Sequence, residues 1–255
     1  VRRGWLDSVG PCEAQRTADD VLPIVGTTDS LFDVMTVSPS DMFVRYGKPL
    51  VFLLCLVPLG VLFSRGMNGA LGPNPVEAIT HFTGEWTLRL LLMTLAVTPL
   101  RRLTGQAWLV RFRRMLGLFT FFYAVLHLMT YLWLDQFFAW GAIAEDVLKR
   151  PYITVGFAAF LLMVPLAITS TQGWIRRLGR RWKALHRAVY VIGVLGVLHY
   201  LWLVKADILE PVIYGIVLLV LLAFRIPGVR FPARQGALSP LAPMTPGRTR
   251  DHAPP

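Results

Sequence analysis

Six apolar stretches, each close to the length of a membrane-crossing helix, set the terms for this chain. They run roughly Val44–Phe63, His81–Leu100, Met115–Leu134, Tyr152–Thr169, Ala184–Val204 and Ile208–Phe224. A helix needs about 20 mostly apolar residues to cross the hydrocarbon core. Several stretches meet that length, while the first and last need their flanks to reach across. In 255 residues that are 55% hydrophobic and only 16% charged, the pattern implies an all-α polytopic membrane protein, a bundle of six transmembrane helices.

Polar segments flank this membrane domain, which spans 42–226. Residues 1–41 carry Asp7, Glu13, Asp19, Asp20, Asp29, Asp33 and Asp41 without a sustained apolar period, and read as a disordered leader. They lack the basic and apolar regions of a signal peptide, and Met42, opening MFVRYGKPL, is an alternative start. Residues 227–255, rich in Pro, Gly and Arg, read as a disordered basic tail. No internal repeat stands out.

Charge placement orients the bundle. The second loop holds Arg101, Arg102, Arg111, Arg113 and Arg114; the fourth holds Arg176, Arg177, Arg180, Arg181 and Lys183; Arg225 and Arg230 follow the last stretch. The odd loops are poorer in cations and carry Glu77, Glu85, Asp135, Glu145, Asp146, Asp207 and Glu210. The positive-inside rule then places both termini and the even loops in the cytoplasm. The arginines cluster in short loops between apolar runs, so the net charge of +11 signals topology and not a nucleic-acid groove. Cys12 and Cys55 form no CxxC or CxxCH, which excludes a zinc ribbon and covalently attached c-type haem. Cys55, inside an apolar run, reads as a small hydrophobe.

Within this frame the histidines carry the chemistry. His127 and His199 lie inside the third and fifth stretches, where an ionisable side chain is a functional-site hypothesis by default. Both helices run the same way, and at about 1.5 Å per residue the two imidazoles reach one level, about 18 and 22 Å along. Two imidazoles at one depth suit the axial positions of an iron porphyrin, an arrangement that favours electron transfer. Phe121, Phe122, Tyr123, Tyr131, Tyr200 and Trp202 are expected to wall such a site. The plain alternative is that each histidine only bonds a neighbouring helix.

A second, inner level is set by Arg113 and His186. On an ideal helix His186 stands about 140° from His199, whereas Arg113 shares a face with His127 to within about 40°. Arg113 suits a porphyrin propionate better than a metal, since its guanidinium stays protonated. The plain reading of the pair is an inside-positive anchor beside an interfacial histidine. Gly193 and Gly196 offer twist or close porphyrin approach. His81 opens the second helix and is expected not to be a ligand. His252 has no assigned role, and Arg89 is expected to snorkel or pair with Glu85.

Five segments, LGPNPVEAITHFTGEW, VTPLRR, KRPYITVGF, ITSTQGWIRRLGRRWKALHRAVY and LHYLWLVKAD, closely resemble the MsrQ (YedZ) family. This is the haem-binding membrane subunit of the periplasmic methionine-sulfoxide reductase system, within the ferric-reductase-like transmembrane superfamily. The similarity covers about Val44 to Arg225. It implies b-type haem, one or two, and FMN, with His127, His186 and His199 at the family's functional histidines. Arg113 stands where related reductases often have another histidine. It also implies a bacterial inner-membrane protein. Electrons would come from quinol or a cytosolic flavin reductase and pass to a periplasmic molybdopterin-containing catalytic partner, which reduces methionine sulfoxide. The chain itself is expected to do no sulfoxide chemistry. No Gly-rich dinucleotide fingerprint is present, and the tail is short beside the soluble flavin domain of full-length ferric reductases.

Two other readings use the same residues. One is a proton- or ion-coupled transporter with a histidine relay, against which stand the lack of an inverted repeat and of paired broken helices. The other is a membrane scaffold whose histidines act only as helix glue.

Overall fold

The computed structural model describes residues 39–204 and 208–225. Residues 1–38 of the expected leader 1–41, and the whole expected tail 227–255 with His252, lie outside the described residues; residues 39–41, expected to be disordered, open the first helix. Contacts divide the chain into Val1–Arg45 and Tyr46–Pro255. Only the opening of the first helix is described in the first unit, and the packing below concerns the second.

Each of the six apolar stretches is helical. The elements are α1 (Pro39–Met67), α2 (Pro75–Thr104), α3 (Val110–Met129), α4 (Trp140–Lys149), α5 (Pro151–Ile168), α6 (Gln172–Leu178), α7 (Arg180–Leu185), α8 (Ala188–Leu203) and α9 (Leu209–Ala223). A 3₁₀ turn, Ala107–Leu109, precedes α3, and a π-helical segment, Thr130–Asp135, extends it. No strand occurs among the described residues. By length and composition Val44–Met67, Ala107–Asp135, Pro151–Ile168 and Arg180–Leu203 are able to cross a membrane; Leu209–Ala223 is apolar but shorter.

Local chemistry sets the boundaries. The Asn74 side chain accepts the Glu77 N–H at 3.3 Å and Pro75 takes the first helical position of α2, where its missing N–H costs nothing. That helix stops at Gly105, whose left-handed φ of 74° lets its N–H reach the Arg101 carbonyl, a conformation glycine adopts without strain. Pro151 opens α5 in the same way.

The most polar long helix is also the most enclosed. α2 pairs broadly with α3 and touches α8 and α9. Leu88, Leu91, Leu92 and Leu95 of α2 form one core with Val189 and Ile192 of α8 and Leu218 of α9. Leu90 forms another with Cys55 of α1 and Phe119 and Tyr123 of α3. Being surrounded, α2 can carry Glu85 and Arg89, which bond each other at 2.8 Å as expected, while Arg89 Nε also donates to the Tyr214 hydroxyl at 2.8 Å. Thr83, Thr87 and Thr94 each donate to the carbonyl one turn back, so few polar groups of this helix are left without a partner in a low-dielectric setting. By contrast Leu50, Leu53, Leu54 and Val57 of α1, Leu161 of α5 and Leu219 of α9 are exposed. Outward apolar faces of this extent suit lipid as the surrounding solvent.

Tyr123 binds α3 to α1 at a proline. Pro58 interrupts the ladder of α1, and the fully buried Tyr123 hydroxyl enters the next rung, donating to the Cys55 carbonyl at 2.8 Å and accepting the Leu59 N–H at 3.2 Å. Cys55 is buried as the small hydrophobe expected.

Candidate functional site

The outer site is made by two helix pairs with the same construction. His127 on α3 faces α2, and its Nδ1–H donates to the Thr80 carbonyl at 2.9 Å. His199 on α8 faces α5, and its Nδ1–H donates to the Tyr152 carbonyl at 2.7 Å. The histidine follows its carbonyl partner by 47 residues in both cases. A glycine stands one turn beyond each carbonyl. A Cβ on Gly84 would lie 3.0 Å from His127 Cε1, and one on Gly156 would lie 2.6 Å from His199 Nδ1. Only glycine lets the ring approach the helix closely enough to reach that carbonyl's second lone pair. The two pairs, α2 with α3 and α5 with α8, are also the broadest helix contacts in the fold. This internal repeat was not expected, because little besides glycine and histidine recurs.

Fixing hydrogen on Nδ1 leaves Nε2 of each ring as the free lone pair, the usual arrangement behind a metal-bound imidazole. The ring centroids stand 6.1 Å apart and nearly perpendicular, at 79°. An imidazole nitrogen sits about 2 Å from its metal, and its ring centre about 1 Å further, so two rings flanking one iron stand about 6 Å apart. His127 and His199 share a cavity of about 460 Å³ with Gly84, Gly156, Phe160 and Tyr200. That size falls in the ordinary range for cofactor sites.

The expected aromatic wall is only partly observed. Tyr131 and Tyr200 line the cavity, joined by Tyr152, Phe157 and Phe160 of α5. Phe121 instead stacks on Phe160 at 5.8 Å, Phe122 and Trp202 are exposed, and Tyr123 is spent on α1. The α5 aromatics join the wall through the pairing of α5 with α8, which only the tertiary structure sets. Gly193 serves helix packing, with Leu218 3.1 Å from where its Cβ would lie, whereas Gly196 lines the cavity. His81 also lines it, half-exposed and 3.9 Å from Glu77.

His186 and Arg113 lie outside that cavity's lining. The fifth apolar stretch is not one helix: between α7 and α8 the N–H groups of Arg187, Val189 and Tyr190 bond three residues back. The ideal-helix angle between His186 and His199 is therefore not kept. His186 stacks on Trp182 with centroids 4.0 Å apart, and its Nδ1–H donates to the Trp182 carbonyl at 3.1 Å. Its Nε2 is buried without a hydrogen-bond partner among the described residues, with the Leu166 carbonyl nearby. Arg113 lies within electrostatic reach of His186. An orphaned buried nitrogen of this kind is uncommon, and it fits a ligand position.

Comparison with known proteins agrees with this architecture. Residues 83–197 match the ferric reductase like transmembrane component family. A protein-methionine-sulfoxide reductase heme-binding subunit MsrQ from Xanthomonas campestris pv. campestris is 60% identical over 180 residues, 69% of this chain and 83% of the relative. Those of Herminiimonas arsenicoxydans and Xanthomonas euvesicatoria are 53% and 57% identical, covering 90% and 85% of their lengths. No solved structure matches. With a ferric-reductase-like helical core inside the matched region and identity at this level along most of the relatives' length, the chain belongs to the MsrQ family of membrane subunits.

Proposed function

We propose that this chain is a b-type haem subunit that carries electrons across the bacterial inner membrane to a periplasmic methionine-sulfoxide reductase. The observation that carries the reading is the pair His127 and His199, held 6.1 Å apart with both Nδ1 atoms occupied by backbone carbonyls. Among the described residues no three His, Cys, Asp or Glu side chains converge on a metal-binding position. Two imidazoles therefore need a guest that brings its own equatorial nitrogens, as a porphyrin does. The relatives' description as heme-binding subunits supports the same guest.

The chain's own residues would act as follows. His127 and His199 would hold the haem iron through Nε2. When bound, haem would supply one-electron redox chemistry. The Thr80 and Tyr152 carbonyls fix the tautomer and prevent ring rotation, so little reorganisation accompanies a change of charge. Leu88, Ile192 and Phe160 keep the cavity walls apolar. Glu85, which lines the cavity, would have its charge offset by Arg89 at 2.8 Å.

His186 and Arg113 form the inner site, for a second haem or for FMN, with Arg113 on the cofactor's acid group. Six spans with both termini cytoplasmic complete the reading, supported by the arginine-rich even loops. The donor is the quinol pool or a cytosolic flavin reductase, and the acceptor a molybdopterin-containing catalytic subunit. The purified chain should show a Soret band with sharp reduced α and β bands, and in liposomes it should re-oxidise when the catalytic partner and sulfoxide are added outside. A folded but colourless protein sinks this reading.

A further inference from the structure

At the end of the bundle that carries the arginine-rich loops, Arg225 makes an unusual set of contacts. It follows α9, yet its guanidinium reaches back to α2, donating through Nη2 to the Leu95 carbonyl at 3.1 Å. That carbonyl is available because its helical donor would be the N–H of residue 99, a proline, which has none. Nη1 donates to the Tyr190 hydroxyl, and the guanidinium lies 4.8 Å from the Tyr190 ring centre. The Nε–H is buried without a partner among the described residues. Arg102 is brought alongside by its bond to the Phe224 carbonyl at 2.5 Å, and Arg113 is the other guanidinium near enough to act on Arg225. Burial, and then these two like charges, push the Arg225 pKa below the usual arginine range.

A buried guanidinium N–H with two further arginines in electrostatic reach calls for an anion. The stretches that form this end of α2, α3, α8 and α9 do not contain one. The sequence has no Asp or Glu between Glu85 and Asp135, none between Asp146 and Asp207, and none between Glu210 and Asp251. A guanidinium fork matches phosphate and carboxylate alike, and basic pockets between membrane helices on the cytoplasmic side suit acidic headgroups.

We infer that Arg102, Arg113 and Arg225 form an oxyanion site, with the Arg225 Nε–H as its buried donor, for the phosphate or carboxylate of an acidic amphiphile resident in the membrane. The source is either an acidic phospholipid or the acid group of a cofactor at the inner site. The assignment touches the function proposed above only through Arg113, and does not depend on His127 or His199.

The test uses the purified full-length chain, delipidated and then offered vesicles of equal phosphatidylglycerol and phosphatidylcholine. Native mass spectrometry counts the lipid retained, and haem and flavin per chain are measured in parallel. Wild type should retain phosphatidylglycerol in preference to phosphatidylcholine, and Arg225→Gln should weaken that retention by about tenfold, as for one charge-assisted contact. Arg225→Lys, which keeps charge but has no Nε–H, should fall between. Loss of flavin or of part of the haem in Arg225→Gln, without loss of lipid, assigns the site to the cofactor's acid group. If Arg225→Gln does not fold, wild-type selectivity between the two lipids decides by itself. Equal retention of both lipids by wild type, with cofactor content unchanged in any folded variant, overturns the assignment. A colourless protein that still selects phosphatidylglycerol would defeat the haem reading and leave this site standing.

Discussion

The ring of His199 is tethered to Tyr152 on the neighbouring helix, its Nδ1–H donating to the Tyr152 carbonyl at 2.7 Å. The same relation holds between His127 and Thr80 at 2.9 Å. Each tether ties up one ring nitrogen and leaves the other for a guest, so the consequences can be tested one residue at a time.

Removal of either imidazole should abolish the outer haem, since neither helix offers a second ligand at that level. For His127→Ala and His199→Ala, haem per chain by pyridine haemochrome should fall to background for that site. His186→Ala should leave the outer spectrum intact. Loss of all haem from His186→Ala would show that the two levels are not separate.

Gly156→Ala places a methyl 2.6 Å from His199 Nδ1, whereas Gly84→Ala places one 3.0 Å from His127 Cε1. Overpacking of this kind costs about 1–3 kcal/mol. Haem occupancy should drop more for Gly156→Ala than for Gly84→Ala, with a shifted reduction midpoint in whatever remains. Gly60→Ala, where nothing lies within 4 Å, should match wild type. Equal behaviour of all three would remove the tether from the explanation.

Tyr123→Phe deletes the hydroxyl that sits between the Cys55 carbonyl and the Leu59 N–H. Losing the buried hydroxyl's two bonds to α1 should cost about 1 kcal/mol, since the Leu59 N–H can close back on the Cys55 carbonyl within the helix. The expected result is a lower midpoint of thermal unfolding in detergent with an unchanged Soret band.

Glu85→Gln removes the charge opposite Arg89, which keeps the Tyr214 hydroxyl and the face of the Trp86 ring. Side-chain hydrogen bonds within membrane proteins average about 0.6 kcal/mol in double-mutant cycles. Glu85→Gln and Arg89→Met should each destabilise the chain, and the double variant should lose less than their sum. Strict additivity would mean that the pair at 2.8 Å contributes nothing of its own.

Much of this was legible in the sequence because the controlling physics is one-dimensional. Apolar length identifies the helices, and Asn74, Pro75 and Gly105 mark the ends of α2 from local chemistry alone. His127 and His199 stand out because a hydrocarbon setting makes any imidazole conspicuous, and equal rise along parallel helices puts them at one level. What the chain alone did not disclose depends on which helix lies beside which. The pairing of α5 with α8 replaced Phe121, Phe122 and Trp202 by Phe157 and Phe160 in the cavity wall. It also gave Gly156 a purpose that a glycine in an apolar run does not announce. Arg225 had read as a topology charge until the fold brought it to a carbonyl freed by a distant proline. Helix length and depth follow from the solvent each residue meets, whereas a hydrogen bond between helices needs two surfaces in register, and only packing sets that register.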